Sequence, residues 1–471
     1  MDVMGFVAGV LLQWALGIAF VVALPRRVPL LPQPGAMAWA IGAGAFAGAF
    51  VMTLGMRAIS FAGVEFGPLS IGGPMFAATV ALAWIGWRRE RGGLRIASVA
   101  ALRTFSGRHL AGTWRWLWYA LVAWLALRFA LLLVEVALKP LFPWDAWTQW
   151  ATKARVWYEL RTMAPFALAN DWFASGGATF VDAGPHYPAT VPLLMVWASI
   201  TLGRWDDALM NLPFWQLAVG FCFAVYGVLR SQRFGTVGAL VGAWIVTTLP
   251  LANAHVALAG YADLPMGCFF ALAALTGMRW TLSRERGDGL LALLFIAALP
   301  MIKVPGIVWV LTLFPAAVLL LAPRLGLKIV GIAFVGCCVA LFVLARTNPT
   351  VLGYQLHLDF APAWGSLGSS YFLLGNWHLL WYGVVAVAVL GRREVLAPAL
   401  APLSVVIGAS LIFLFVVFGF TNAREWVADQ TTVNRATLHL APLIAVWMLL
   451  VFHAWMHARS GDEAVAATAA A

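Results

Sequence analysis

Uninterrupted apolar runs of close to twenty residues dominate the chain, and they constrain its folding more than any other feature. A helix of about 20 residues crosses the roughly 30 Å hydrocarbon core of a bilayer, and there it must pair its own backbone N–H and C=O groups. Such runs occur near 5–24, 37–55, 67–87, 115–137, 212–229, 236–253, 264–280, 288–303, 304–322, 328–346, 374–390, 397–419 and 439–457. They predict an all-α polytopic membrane protein with about thirteen transmembrane helices. Lys303-Val304-Pro305-Gly306 divides one long run, and a tight reversal is expected there. A transmembrane β-barrel would instead alternate polar and apolar residues in segments of about ten. With 63% apolar residues, 10% charged residues and a mean hydropathy of +0.88, the chain is no soluble enzyme, disordered scaffold or disulfide-stapled domain. Gly5–Leu24 is long enough to span and lacks a positive leader, so a first membrane helix is expected rather than a cleaved signal.

The net charge of +11 is not read as nucleic-acid binding, because the basic residues fall in short loops between apolar runs. With the N-terminus outside, the inner loops carry Arg26, Arg27, Arg88, Arg89, Arg91, Arg95, Arg103, Arg108, Arg230, Arg233, Arg279, Arg284, Arg286, Arg324, Lys328, Arg392, Arg393 and Arg459. That bias orients the chain in a bacterial inner membrane, with 138–211 as a large periplasmic loop. It also requires 190–203, with VPLLMVWASITLG, not to cross, and an interfacial or re-entrant helix on the outer side is expected. The outward cations lie on the face that orientation disfavours, so a functional reason for them is sought. Cys222, Cys268, Cys337 and Cys338 lie inside apolar runs with no zinc-site spacing and read as buried small hydrophobes.

Within the outer loop, Trp147, Trp150, Ala154, Trp157 and Tyr158 form an amphipathic helical stripe, with Asp145, Gln149 and Lys153 opposite. Three Trp and a Tyr on one face predict a helix lying flat on the outer leaflet. Asp145 at its start is either a helix cap or a catalytic base. Asp263, beside Tyr261 and Pro265 in GYADLP, is either a helix start or a second acid facing the same cavity. Lys303 either snorkels or meets a lipid-linked phosphate. Arg435 and His439 share a helical face at i, i+4, and with Arg424 they make an anion clamp or a solvated loop paired to Glu425 and Asp429. His186, His255, His357 and His378 show no ligand spacing, and no metal site is expected.

This layout resembles the membrane-embedded GT-C glycosyltransferases, which include the dolichyl-phosphate-mannose protein mannosyltransferases and the bacterial lipid A aminoarabinose transferases. The resemblance places the family's loop base at Asp145 in WDAW. Its "PPL" helix falls on HYPATVPLLMVWASITLG, where Tyr187-Pro188 follows His186. Its second acid falls on Asp263 and its "TKGP" lysine on Lys303 in MIKVPG. The arginine of its late loop falls on Arg435 in NRATLHLAP. It implies a catalytic membrane module over 115–457; departing from the family's pattern, a three-helix module with a basic cytoplasmic loop over 1–114 precedes it as an addition, and 458–471 reads as a cytoplasmic tail.

The implied activity is transfer of a sugar from a polyprenyl-phosphate donor in the membrane to an acceptor glycolipid, glycan or protein at the periplasmic face. It would invert the anomeric centre and use neither cofactor nor divalent metal. Asp145 and Asp263 are then the acids, and Lys153, His186, Tyr187, Tyr261, Lys303, Arg424, Arg435 and His439 contact substrate. Two other readings stay open: a secondary transporter or flippase of an anionic or lipid-linked solute, and an O-antigen ligase or polymerase. The late loop, about 420–438, is short for the latter.

Overall fold

In the computed structural model, all residues are described except 1–2, 92–106, 108, 175, 323, 352–353, 357–359 and 471. The basic loop expected on the cytoplasmic side, with Arg95, Arg103 and Arg108, therefore lies largely outside the described residues, as does His357. The described chain is mostly helical. Its principal helices are α1 Val3–Ala23, α2 Ala36–Phe61, α3 Pro68–Glu90, α4 Gly112–Leu138, α5 Ala151–Leu160, α6 Thr190–Leu202, α7 Leu212–Ser231, α8 Thr236–Thr247, α9 Pro250–Ala257, α10 Asp263–Ser283, α11 Arg286–Ile302, α12 Gly306–Leu321, α13 Gly326–Ala345, α14 Leu380–Leu390, α15 Ala401–Phe420, α16 Thr431–Leu438 and α17 Ala441–Ala470. The described strands are two-residue pairs, Phe166–Ala167 with Phe180–Val181 and Thr350–Val351 with Tyr354–Gln355.

A helix occupies each of the thirteen apolar runs. Among the described residues, however, eight helices are long and apolar enough to cross a membrane, or nine if α8 and α9 are one broken span. Helices α12 and α14 are shorter, at 16 and 11 residues, and α14 fills only the second half of the run near 374–390. The run near 236–253 is bent by 66° between α8 and α9. Pro250 explains the break: it has no N–H to donate, and it pushes Leu249 into an extended conformation. Arg128 on α4 closes the gap by donating to the Thr247 carbonyl and, at 2.7 Å, to Asn253 Oδ1. The reversal expected at Lys303–Gly306 is present, with Gly306 N–H donating to the Lys303 carbonyl at 2.8 Å.

Helix α2 lies at the centre of the N-terminal packing. Its run of Ala and Gly lets backbones touch: a Cβ on Gly48 would sit 2.0 Å from the Gln13 carbonyl of α1, and one on Gly42 would sit 2.2 Å from Ala224 N of α7. In contrast, α13 buries only its terminal Gly326 and Ala345, so its flank is solvated by lipid if it spans. Cys337 and Cys338 are therefore exposed. Cys268 is buried as expected and Cys222 half-buried.

One expectation for the 138–211 segment needs correction. Trp150, Ala154, Trp157 and Tyr158 do form one face, on a short π-helical turn Ala146–Trp150 running into α5. That face packs into the protein against α6, and only Trp147 of the stripe is exposed. On the opposite face Gln149 and Lys153 are also buried, whereas Asp145 is partly exposed. Segment 190–202 is enclosed by protein. All thirteen residues of α6 are buried, with Trp197 Nε1 donating to the Gly9 carbonyl at 3.1 Å.

Candidate functional site

Five of the charged or titratable residues singled out in the sequence converge, although they are up to 294 positions apart. Asp145 follows Pro143 on the turn that opens the π-helical segment. Its carboxylate does not cap the helix it starts; it accepts from Arg435 Nη2. Gly260 makes this possible. It has φ 122°, and a Cβ there would come within 2.5 Å of the Ala146 Cβ, so a larger residue would push the Tyr261 loop off the Asp145 turn.

Asp263 is the first residue of α10 and is almost fully buried. Its Oδ1 accepts from Lys303 Nζ at 2.5 Å and from His439 Nε2 at 2.9 Å. Its Oδ2 accepts from Arg435 Nε at 3.1 Å and Nη2 at 2.9 Å. Lys303 is itself buried between α11 and α12, so it does not snorkel. The helical turn shared by Arg435 and His439 aims both side chains at the one carboxylate. Helix α16 is anchored for this task from its far side: Asn434 bridges Trp377 at 3.0 Å and Ser370 at 2.8 Å, and Thr437 bonds Tyr371 at 2.9 Å.

The protonation of His439 follows from its partners. Trp309 Nε1 donates to Nδ1 at 3.1 Å, and an indole N–H can only donate. The ring proton is therefore on Nε2, donated to Asp263, and the imidazole is neutral. Two carboxylates then face two cations, and the cluster has no net charge. Arg435 also stacks its guanidinium 4.5 Å above the Tyr261 ring. Burial lowers the Arg435 pKa, but Asp263 and Asp145 outweigh burial and hold it above its ordinary value.

Other predicted site residues lie elsewhere. Lys153 is buried and committed to Asp182 at 2.8 Å and to the Gly184 carbonyl at 2.6 Å. Lys153 is thus placed away from the Asp263 cluster, in a buried pair of its own. His186 is exposed and stacks on Tyr187, which packs against Trp150. Arg424 sits on a separate turn, Asn422–Arg424, and Arg435 does not pair with Glu425 or Asp429; Asp429 instead caps Thr431 at 2.9 Å. Two members of the site were not anticipated. Trp309, inside an apolar run, gives no signal in the sequence. His255 is buried with its ring 5.2 Å from that of Tyr261, and neighbouring Tyr261 in GYADLP was its only pointer.

The arrangement can bind an anion at an arginine, accept a proton at a carboxylate, and hold both groups in fixed relation. No family model, curated protein or solved structure matches the chain.

Proposed function

We propose that the chain is an integral-membrane glycosyltransferase of the GT-C kind. It would span the bacterial inner membrane about thirteen times and transfer a sugar from a polyprenyl phosphate to an acceptor hydroxyl at the periplasmic face. The observation that carries the reading is the meeting of Asp145 with Arg435, Lys303 and Asp263 at one point, beside helix ends rather than in mid-helix. In the reaction, the acceptor oxygen attacks the anomeric carbon and its proton passes to an Asp145 carboxylate oxygen. The bond between that carbon and the phosphate oxygen breaks on the opposite face. Polyprenyl phosphate leaves with the electron pair, and its added charge is offset by Arg435 and Lys303. Asp263 positions both cations. The broken α8–α9 helix, with Arg128 at its break, favours a second reading, a transporter of a lipid-linked solute.

Substituting Asp145→Asn tests the first reading. The amide keeps the size but takes no proton, and loss of a general base lowers rates roughly 10²–10⁴-fold. Transfer of radiolabelled sugar from a polyprenyl-phosphate donor by purified protein should fall by that factor. Wild-type turnover in the variant would remove Asp145 from the chemistry.

A further inference from the structure

Arg435 is the residue through which the two carboxylates of the site are joined, and its donors are unequally committed. Nε and Nη2 grip Asp263, and Nη2 also reaches Asp145. Among the described residues no hydrogen bond reaches Nη1. The burial of the partners is equally unequal. The Asp263 side chain is 1% exposed, whereas Asp145 is 19% exposed and Arg435 29%. One arm of the arginine is therefore fixed in the interior and the other closes against a carboxylate at the surface of the cluster. Stacking on Tyr261 holds the guanidinium plane still, and Nη1 stays uncommitted beside the Nη2 that Asp145 occupies.

We propose that the donor's phosphate binds by taking the place of Asp145 on Arg435, so that donor binding and release of the base are one event. This rests on the transferase reading and deepens it. The exchange is favourable for three reasons. A sugar phosphodiester carries one negative charge, as does the carboxylate it replaces, so the neutral balance of the buried cluster is kept. A phosphate offers two oxygens to the Nη1–Nη2 edge, where Asp145 uses one donor. The bond given up is the more solvated of the two, and such pairs contribute least.

The consequence is an ordered cycle. While no donor is bound, Asp145 is held by Arg435 and is not free to accept a proton, so an acceptor or water is not activated against an empty site. Once the phosphate displaces it, the carboxylate is free to take the acceptor's proton. After transfer Asp145 is protonated and does not compete for the cation. When it loses that proton to water it reclaims Arg435 and drives the polyprenyl phosphate out.

Binding of farnesyl phosphate, a short prenyl phosphate, to the full-length protein in nanodiscs tests the exchange. Removing the competitor should tighten binding: Asp145→Asn should bind about threefold or more tightly than wild type, and Asp145→Ala, which leaves no carbonyl to accept from Nη2, should do the same. Arg435→Gln should bind at least about tenfold more weakly than wild type. Farnesol, which lacks the phosphate, should bind all four proteins alike. Unchanged or weaker farnesyl phosphate binding in both Asp145 variants would overturn the exchange while leaving the phosphate role of Arg435 standing. Wild-type affinity in Arg435→Gln would instead overturn that role, and the exchange with it. Tightening of farnesol by the same factor in the Asp145 variants would also overturn the exchange, because the phosphate would not be the competing group.

Discussion

Helix α10 carries a buried charge cluster at each end, and the two are built differently. At its start, Asp263 is gripped by Lys303, Arg435 and His439. Near its end, Arg279 lies 3.6 Å from Asp288 of α11, which Arg26, just beyond α1, meets at 2.8 Å. Asp263 and Arg279 are sixteen residues apart, or roughly 24 Å along the helix. The Asp288 cluster is closed, with all three side chains at 8% exposure or less, and Arg27 N–H donating to Glu285 at 2.9 Å ties the α1–α2 connection to the same loop. In the Asp263 cluster Asp263, Lys303 and His439 are buried, and it opens where Arg435 meets Asp145. A sealed cluster can only hold elements together, whereas an open one can exchange a partner.

Asp263→Asn should break the comparison most severely. It leaves Lys303 buried without its anion and Arg435 with only its outer arm, and breaking a buried pair in this way typically costs about 3–5 kcal/mol. Thermal unfolding of the purified variant should show that loss together with loss of prenyl phosphate binding. Asp288→Asn should be slightly milder, about 3 kcal/mol, because one of its two pairs is long at 3.6 Å. The folded fraction of Asp288→Asn should bind farnesyl phosphate as wild type does. Impaired binding there would mean that the two ends of α10 are coupled.

How much of this was legible in the sequence depends on what hydropathy encodes. Apolar runs located every long helix, because lipid and protein interior select the same residues. For that reason they did not distinguish the two environments. The stripe Trp150, Ala154, Trp157, Tyr158 has a helical period whether it meets lipid or α6, and only tertiary packing decides. The pairing of Lys153 was not legible for a related reason, since its partner Asp182 is distant in sequence and joined by no pattern. The site residues stood out singly, as charges where membrane orientation disfavours them or at helix starts. Their convergence was not legible, because Asp145, Asp263, Lys303 and Arg435 come from four separate segments. Pro250 was visible, but the swing of α9 that brings His255 beside Tyr261 needed the fold.

A smaller effect is expected at the shared arginine. Arg435→Lys keeps the charge and the tether to Asp263, so the protein should fold. A single ammonium does not offer the two parallel donors of a guanidinium. Losing one charge-assisted hydrogen bond, about 1.5–3 kcal/mol, should weaken farnesyl phosphate binding at least about tenfold. Equal affinities in wild type, Arg435→Lys and Arg435→Gln would show that the open edge is no phosphate site, and the contrast between the two ends of α10 would lose its functional meaning.

The smallest effect is the one that most sharpens the contrast. Asp145 meets Arg435 at the partly exposed rim, where an ion pair contributes about 0–1 kcal/mol, and its side chain caps no helix. Arg435 keeps Asp263 when Asp145 is neutralised, so no buried charge is left without a partner. Asp145→Asn should therefore unfold within about 1 kcal/mol of wild type in the measurement in which Asp263→Asn falls by several. The variant proposed to stop transfer would then be nearly silent in stability, as expected for a group placed to move between partners. A loss of 3 kcal/mol or more in Asp145→Asn would show the opposite, that Asp145 is as firmly built in as Asp288 and that the cluster has no open side.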